Sequence, residues 1–255
     1  MTVKVVRDTW LVYARAMKLN IKQPVWLIVM LVQPIYFLFL FAPLLEPMDG
    51  MPGFENGAME TFVPGLIIMM ALFGSAFVGF GLIAELRQGV IERMRVTPVS
   101  RTALMLGRTL STVTTTLFQA LALVLLAALT GRLDVYWPGV GLMLLIVLLT
   151  AFMLAAVSLG LAIILKSEDA MAPVINTLVQ PIMLISGIML PMIMAPSWLQ
   201  NVAEFNPFYY AVQASRELFA GNIDSPFVWQ APVILGALTI LLVWWATRKF
   251  ARAVA

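Results

Sequence analysis

Six long stretches without a charged residue constrain this chain more than any other feature of its sequence. They cover 25–45, 61–84, 109–131, 135–165, 170–203 and 225–247. An α-helix needs about 20 apolar residues to cross the hydrocarbon layer of a membrane. Since backbone polar groups in lipid must pair internally, each stretch is predicted to form helix rather than a strand of an open sheet. The sequence therefore predicts an all-α integral membrane protein with six transmembrane helices.

The composition agrees with a membrane protein and excludes several kinds of site. Hydrophobic residues make up 62% of the chain and the mean hydropathy is +0.96, whereas soluble domains are about half apolar. The chain contains no His and no Cys, which excludes disulfides, His- or Cys-based catalysis and metal sites built from these residues. We expect one transmembrane domain over residues 1–255 and no metal site.

Lys and Arg indicate the orientation, because short loops rich in them stay in the cytoplasm. With the N-terminus inside, only Arg132 and Arg216 fall in outer segments, which leaves 14 of the 16 basic residues in inner ones. The first outer loop has four acidic residues and no basic residue: Glu46, Asp49, Glu55 and Glu60. We expect a multi-pass protein of the plasma membrane, a bacterial inner membrane, with both termini in the cytoplasm.

Residues 1–23, before the first span, are predicted to form an amphipathic helix. With about 100° between successive residues, one side takes the charged residues Lys4, Asp8, Arg15, Lys18 and Lys22. The other side takes Val6, Trp10, Tyr13 and Met17. Such a helix would lie in the cytoplasmic interface with its cations facing anionic lipid headgroups. The alternative is a charged tail that only enforces the topology.

The fifth stretch is too long for one crossing and too short for two. It is interrupted by three prolines, Pro181, Pro191 and Pro196. Because each proline disfavours continuous helix, we expect a fifth span over 172–194 and two short re-entrant helices over 197–220, broken at Asn206-Pro207. An ordinary outer loop with interfacial aromatic residues is the alternative. The candidate residues of this outer region are Asn206, Pro207, Tyr210, Arg216 and Glu217.

Residues 85–101, ELRQGVIERMRVTPVSR, hold six charged residues in an otherwise apolar chain. Their spacing predicts a cytoplasmic helix over 85–98 that ends at Thr97-Pro98, since Pro disfavours helical backbone in the residue before it. A short helix that is both charged and apolar suits a slot in a partner protein, and Glu85 and Glu92 weaken the case for phospholipid or nucleic acid as that partner. The alternative is a solvated connection whose arginines only hold the topology.

Two motifs resemble those of one family of membrane proteins. Residues 85–101 resemble the cytoplasmic coupling segment of ABC type 2 transporter permeases, with the acidic-basic start, the Gly, the Glu-Arg pair and the Thr-Pro-x-Ser-Arg end that lead into the third span. Residues 206–222, NPFYYAVQASRELFAGN, resemble the segment before the last span in drug- and lipo-oligosaccharide-exporting members. The match extends to chain length and to the six-span layout. It departs at Leu86-Arg87-Gln88, where many members carry more Glu.

The resemblance implies an ATP-driven exporter in which this chain is the membrane half-transporter. A separate cytoplasmic ATPase subunit would dock beneath it and bind ATP and Mg, and a second copy or a homologous permease would complete the pathway. The residues themselves agree on one point: no Lys follows a Gly, so the chain has no G-x-x-x-x-G-K-[ST] phosphate loop. We expect a chain that is not itself an enzyme and carries no cofactor.

The resemblance also implies which residues meet the ATPase. The expected coupling residues are Glu85, Arg87, Gly89, Val90, Glu92, Arg93, Met94, Arg95, Thr97, Pro98 and Arg101. The inner loop between spans four and five is a second candidate contact, with a plain connecting turn as the alternative: Lys166, Ser167, Glu168 and Asp169.

The cargo is predicted from what the spans contain. The six stretches contain no Asp, Glu, Lys or Arg, which disfavours coupling to an ion gradient. Aromatic and Met side chains adapt to apolar cargo, and hydroxyls of the third span could line a pathway or bond neighbouring helices. The candidate pathway residues are Phe73, Phe77, Phe80, Thr112, Thr116, Met183 and Met189; core or lipid-facing packing is the alternative for the apolar ones.

These patterns predict export of a hydrophobic or amphipathic, drug-like molecule from the cytoplasm or the inner leaflet. The nearest alternative is export of a lipid-linked saccharide or another lipid. From other classes, a self-contained secondary carrier and a membrane scaffold remain as alternatives. A secondary carrier would need interrupted helices in matching halves, and breaks are expected only in the fifth-span region.

Overall fold

The structure is a computed structural model that describes residues 2–22, 24–88, 101–129 and 135–253. The described residues form α-helices, short 3-10 helices and turns, with no β-strand among them, so the predicted all-α class is confirmed. The helices are α1 (Thr2–Lys22), α2 (Pro24–Leu45), α3 (Ala58–Ala76), α4 (Val78–Arg87), α5 (Arg101–Leu129), α6 (Trp137–Leu165), α7 (Glu168–Ile185), α8 (Ser197–Ala203), α9 (Pro207–Phe219) and α10 (Pro226–Ala253).

Within the described part of the chain, five helical segments are long and apolar enough to cross a membrane. They are Leu31–Met48, Ala58–Arg87, Thr102–Leu129, Trp137–Leu165 and Pro226–Lys249. The 18-residue helix α7, which lies in the stretch predicted to hold the fifth span, is not among these five because it opens with Glu168 and Asp169 and contains further polar residues.

The predicted bounds of the fifth span, 172–194, are wrong at both ends. α7 begins at Glu168 and ends at Ile185. Beyond it, Gly187 has a φ of 77°, a left-handed conformation that glycine adopts readily and that ends a helix. At the other end, Glu168 and Asp169 form the first turn of α7 instead of a loop, where carboxylates interact favourably with the helix dipole.

Helix α1 packs along α5, and the two helices come close together at Gly107. A Cβ at Gly107 would lie 2.9 Å from the Thr9 carbonyl oxygen and 2.7 Å from Cβ of Val12. Further along, Asn20 Nδ2 donates to Ser111 Oγ over 3.2 Å. α1 is therefore a helix docked on an apolar span.

This docking changes which side of α1 is exposed. Asp8, predicted to lie with the exposed cations, is only 4% exposed, while Trp10 is 61% exposed. The prediction assumed a helix with a single apolar contact face. In the structure that contact is made around Thr9, Val12 and Asn20, so Asp8 is buried and Trp10 points away from the bundle.

The region after α7 contains the short helices α8 and α9, with the break at residues 204–206. Asn206 explains the break: its side-chain oxygen accepts from the Phe208 N–H over 3.1 Å, and Pro207 occupies the first turn. This is an N-cap of the kind that Asn favours. The Asn206 amide also donates to the Ile182 carbonyl over 2.9 Å, which ties the start of α9 to the last turn of α7.

Small residues allow the long helices to pack closely around a continuous apolar core. Gly160 of α6 lies against the Trp245 ring of α10, where an added Cβ would overlap the ring. Gly139, at the other end of α6, lies against the Leu218 carbonyl of α9. The core thus brings α3, α5, α6, α9 and α10 together, and the cavities described below lie beside it.

Candidate functional site

The long apolar segment Ala58–Arg87 is interrupted at Phe77, which separates α3 from α4. The Ser158 hydroxyl of α6 lies at this break. It donates to the Ala76 carbonyl over 2.5 Å and accepts from the Gly79 N–H over 2.9 Å. A hydroxyl can donate and accept at once, so one side chain satisfies two backbone groups that the interruption leaves outside the helical ladder.

One end of the bundle, here called the basic end, carries Arg87, Arg108, Lys166, Arg248 and Lys249. At this end Glu85 of α4 forms an ion pair with Arg108 of α5, and both side chains are mostly buried, at 28% and 15% exposed.

A second ion pair at the basic end joins Arg87 of α4 to Glu168 of α7. Its N–O distance is 4.0 Å, and the side chains are 54% and 40% exposed. An exposed pair of this kind contributes at most about 1 kcal/mol. It nevertheless brings a predicted coupling residue next to a residue of the predicted second contact.

The other predicted coupling residues are only partly covered by the structure. Gly89, Val90, Glu92, Arg93, Met94, Arg95, Thr97 and Pro98 lie outside the described residues. Arg101 is the first residue of α5, in agreement with a third-span helix that continues from it. In the second predicted contact, Lys166 has a φ of 52° and ends α6, and Ser167 is the extended residue before α7.

A cavity of about 420 Å³, called the inner cavity, lies between α1, the α3–α4 break and α5. Its wall is mainly polar on the α5 side, where the lining residues recur at helical spacing: Arg108, Ser111, Thr112, Thr115, Thr116 and Gln119. α1 contributes Arg15 and Asn20, and α4 contributes Glu85.

A second cavity of about 490 Å³, called the apolar chamber, lies between α2, α3, α4, α5 and α7. Its lining is largely apolar: Pro34, Met69, Met70, Phe73, Phe77, Phe80 and Ala172, with Gln33 and Gln119 as polar members. The two cavities share Gly74, Phe77, Phe80 and Gln119. They adjoin one another at the level of the helix break.

The predicted pathway residues divide between these cavities and the core. Phe73, Phe77 and Phe80 line the apolar chamber and follow one another with ring centroids 6.4 and 5.5 Å apart. Thr112 and Thr116 line the inner cavity. Met183 and Met189 are among the lining residues of neither cavity and are packed, half-buried, against the apolar core.

Gln119 stands where the two cavities meet. It is 3% exposed, and its Nε2 has no hydrogen-bond partner among the described residues. Leaving such a donor unpaired in an apolar environment costs about 1–3 kcal/mol. Gln119 therefore brings an unpaired buried donor to the junction of the two cavities.

The end of the bundle opposite the basic end is held together by Arg216 of α9. Its Nε donates to the Thr61 carbonyl over 2.9 Å, and one terminal nitrogen donates to the Gly187 carbonyl over 2.7 Å. These bonds join α9 to the start of α3 and to the turn after α7. Nearby, the exposed Glu55 carboxylate accepts from the Gly53 N–H over 2.9 Å, which lowers the pKa of Glu55.

The remaining residues predicted for this outer region have structural contacts. Tyr210 lies edge-on to Tyr209 and also contacts Phe227 at the start of α10. Glu217 accepts from the Asn222 amide over 3.1 Å. Together with the N-cap at Asn206, these contacts order α9 and its connection to α10.

The comparison with known proteins identifies the family of the chain. A family model described as ABC-2 type transporter matches residues 7–220. The chain belongs to the ABC-2 type transporter family. Its members are membrane permeases, which are not enzymes themselves and work with a separate ATP-binding subunit. With its apolar helices, this ABC-2 permease is a multi-pass membrane protein.

Individual relatives are distant but cover most of the chain. The daunorubicin resistance ABC transporter permease protein DrrB1 of Streptomyces coeruleorubidus is 24% identical over 200 residues, 78% of this chain and 70% of its own. The putative transport permease ycf38 of Cyanophora paradoxa is 27% identical over 206 residues, 78% of this chain and 69% of its own. The probable multidrug ABC transporter permease YbhR of Escherichia coli K12 is 24% identical over 172 residues, which are 66% of this chain and 46% of its own.

The sequence analysis missed several residues that line or support the cavities. Arg15, Asn20 and Arg108 line the inner cavity, and Ser158 stabilises the break beside it. One local signal was present: Arg108 lies four residues before Thr112, on the polar face that continues to Thr116 and Gln119. The predicted third stretch began at 109, so this charge was counted as part of a loop.

Proposed function

We propose that this ABC-2 permease is the membrane subunit of an exporter that moves a hydrophobic or amphipathic molecule out of the cytoplasm or the inner leaflet. A separate ATPase subunit, which binds ATP and Mg, supplies the energy at the basic end. The observation that carries the proposal is the apolar chamber, which adjoins the inner cavity at the unpaired Gln119 amide and is lined by Phe80 of α4, the helix that leads into residues 85–98.

The proposed topology has six spans, with both termini in the cytoplasm of a bacterial cell. α7 is the fifth crossing: 18 residues of helix extend for about 27 Å, close to the roughly 30 Å of the hydrocarbon layer. α8 and α9 then form the re-entrant region on the outer side. The clustering of Arg87, Lys166 and Lys249 at one end supports a cytoplasmic assignment for that end.

The proposed coupling mechanism begins at residues 85–98, in contact with the ATPase. When the ATPase closes on nucleotide, it displaces this segment, and α4 moves with it. The Glu85–Arg108 pair transmits the displacement to α5, while Ser158 holds the other end of α4 at the break. Because Phe77 and Phe80 flank that break and line both cavities, a change of angle there alters the shape of the cargo site.

The apolar chamber supports a cargo with a flat or flexible apolar body. Met69, Met70 and Phe73 give it adaptable walls, and Gln119 offers one directional hydrogen bond. Sites of this size with few polar groups are typical for small molecules. Two relatives, a daunorubicin resistance permease and a probable multidrug permease, favour a drug-like cargo. A second copy of the chain or a homologous permease faces the first across the pathway.

The decisive experiment is reconstitution of the permease with its partner ATPase subunit. Stimulation of ATP hydrolysis is measured across drug-like amphiphiles, a lipid-linked saccharide and phospholipids, and we expect the first class to stimulate. Glu92→Ala with Arg93→Ala should abolish co-purification of the ATPase or uncouple hydrolysis from cargo. Lys249→Ala, which removes an exposed charge from the same end, is the matched control. Normal association and stimulation in the double variant would defeat the assignment.

A further inference from the structure

The part of the inner cavity nearest the basic end contains an excess of positive charge. Arg15 and Arg108 both line it and lie close enough for their charges to repel each other. Glu85 pairs with Arg108, but Arg15 has no ion-pair partner within the described part of the chain. Two cations against one carboxylate leave one positive charge in a partly enclosed space, which attracts an anion.

Two hydrogen-bond donors line the cavity beside this charge, one from α1 and one from α5. Asn20 Nδ2 donates to Ser111 Oγ, which leaves the hydroxyl proton of Ser111 able to donate into the cavity. The Thr112 and Thr115 hydroxyls on the same face of α5 donate to the Arg108 and Ser111 carbonyls, so the donors left for a ligand are the Ser111 hydroxyl and the second N–H of the Asn20 amide. A guanidinium beside such donors is suited to a phosphate oxygen, because charge-assisted hydrogen bonds to phosphate are strong and directional.

The position of α1 indicates where such a phosphate would come from. α1 forms one wall of the cavity, and its exposed surface carries Val6, Trp10, Leu19 and Ile21 beside exposed cations. A helix with exposed apolar, Trp and basic residues is typical of the membrane interface. Lipid headgroups lie at that level, and basic pockets between helices on this side of a membrane bind anionic ones.

The charged end is separate from the proposed cargo position. Arg108 and Gln119 are eleven residues apart on α5, or about 16 Å along a helix. A headgroup at Arg15 and Arg108 would therefore leave the junction at Gln119 and Phe77 unoccupied. Binding of a headgroup at this end is therefore distinct from binding of the cargo.

We propose that Arg15 and Arg108 bind the phosphate of an anionic phospholipid headgroup at the basic end of the inner cavity, with α1 as the wall that the lipid approaches. Zwitterionic lipids also carry a phosphate, but their own cation cancels the attraction of the excess charge. The site therefore selects for lipids with net negative charge.

The test counts lipids that stay bound to the purified full chain. The protein is reconstituted in an equimolar mixture of phosphatidylcholine and phosphatidylglycerol, extracted, and analysed by native mass spectrometry. Wild type should retain phosphatidylglycerol in preference to phosphatidylcholine. Arg15→Gln should weaken this retention by about tenfold, the effect of losing one charge-assisted hydrogen bond to the phosphate, and Arg15→Lys should preserve most of it.

Lys18→Gln is the matched control, since it removes one exposed cation from α1 without touching the cavity. It should leave retention unchanged. An equal loss in Arg15→Gln and Lys18→Gln would reduce the effect to general surface attraction and overturn the site. Equal retention of the two lipids would overturn it as well. Inorganic phosphate should compete poorly; displacement of phosphatidylglycerol by phosphate at comparable concentration would assign the site to a free anion instead of a lipid.

Discussion

The Ser158 hydroxyl of α6 accepts a hydrogen bond from the Gly79 backbone N–H of α4 over 2.9 Å, and the two residues are 79 positions apart in sequence. The same hydroxyl donates to Ala76, so α6 stabilises the interruption of the second apolar helix from outside. In the proposed mechanism, this contact determines the angle between the part of the helix that lines the apolar chamber and the part that leads to residues 85–98.

Replacing Ser158 with Ala should destabilise the protein by about 1–3 kcal/mol, because the Ala76 carbonyl and the Gly79 N–H would remain buried without a partner. Thermal unfolding of the purified protein measures the change. Ser75→Ala is the control: Ser75 is buried and its hydroxyl has no hydrogen-bond partner among the described residues, so its removal should change little. Equal effects of the two substitutions would show that Ser158 does not stabilise the break.

Gly79→Ala should separate α4 from α6. Its new Cβ would lie 2.5 Å from the Ser158 carbonyl oxygen and would also overlap Met171, and overpacking of this kind costs about 1–3 kcal/mol. Gly81→Ala, in the same helix but with nothing within 4 Å of the added Cβ, should be neutral or stabilising by up to about 1 kcal/mol. The melting temperatures of the two variants test this difference. An unchanged melting temperature in Gly79→Ala would contradict the close approach of α4 to α6.

The two ion pairs at the basic end should differ in their contribution to stability. Glu85→Gln leaves the mostly buried Arg108 without its carboxylate and should cost about 1.5–3 kcal/mol. Glu168→Gln disrupts the exposed pair with Arg87 and should cost less than about 1 kcal/mol. The free energy of unfolding, measured in denaturant at low and high salt, distinguishes the two contributions, since salt screens the exposed pair more strongly. A larger loss of stability in Glu168→Gln than in Glu85→Gln would contradict the larger contribution expected of the Glu85–Arg108 pair.

Arg216→Lys should loosen the end opposite the basic end although it keeps the charge. One ammonium cannot reproduce the two separate bonds from the guanidinium to Thr61 and Gly187, and each charge-assisted bond contributes about 1.5–3 kcal/mol. Hydrogen exchange of residues 186–191 should become faster, together with a lower melting temperature. Arg7→Lys, at an exposed arginine of α1, serves as the control and should leave both measurements unchanged.

Gln119→Leu should separate stability from function. Removing an unpaired buried amide should leave the melting temperature unchanged or raise it, whereas the lost hydrogen bond to cargo should weaken apparent affinity by about 3–10-fold. Cargo-stimulated ATP hydrolysis as a function of cargo concentration measures the second effect. Unchanged apparent affinity would remove Gln119 from the proposed cargo site.

Much of the fold could be predicted because helix formation in a membrane protein is encoded locally. Uncharged apolar stretches predicted the all-α class and the approximate position of the long helices, and the break at Asn206-Pro207 follows from an N-cap and a first-turn proline that are adjacent in sequence. The two motifs also identified the family that the comparison shows. Each of these features depends on residues within about one or two turns of one another.

The errors arose where a distant contact overrides the local pattern. The end of α7 at Ile185 depends on a left-handed Gly187 whose carbonyl is bound by Arg216, 29 residues away. The burial of Asp8 depends on how α1 docks on α5. No periodicity within either segment carries that information.

By itself, the sequence determined that this chain is helical, embedded in a membrane and a member of the ABC-2 transporter family, since apolar length and short motifs act through neighbouring residues. Only the tertiary structure decided that Phe77 interrupts a helix, that Ser158 stabilises the interruption and that Arg15, Arg108 and Gln119 line adjoining cavities. These relationships join residues tens of positions apart. Close packing around glycines such as Gly79 and Gly107 selects which helices lie next to each other among the many arrangements that the sequence allows.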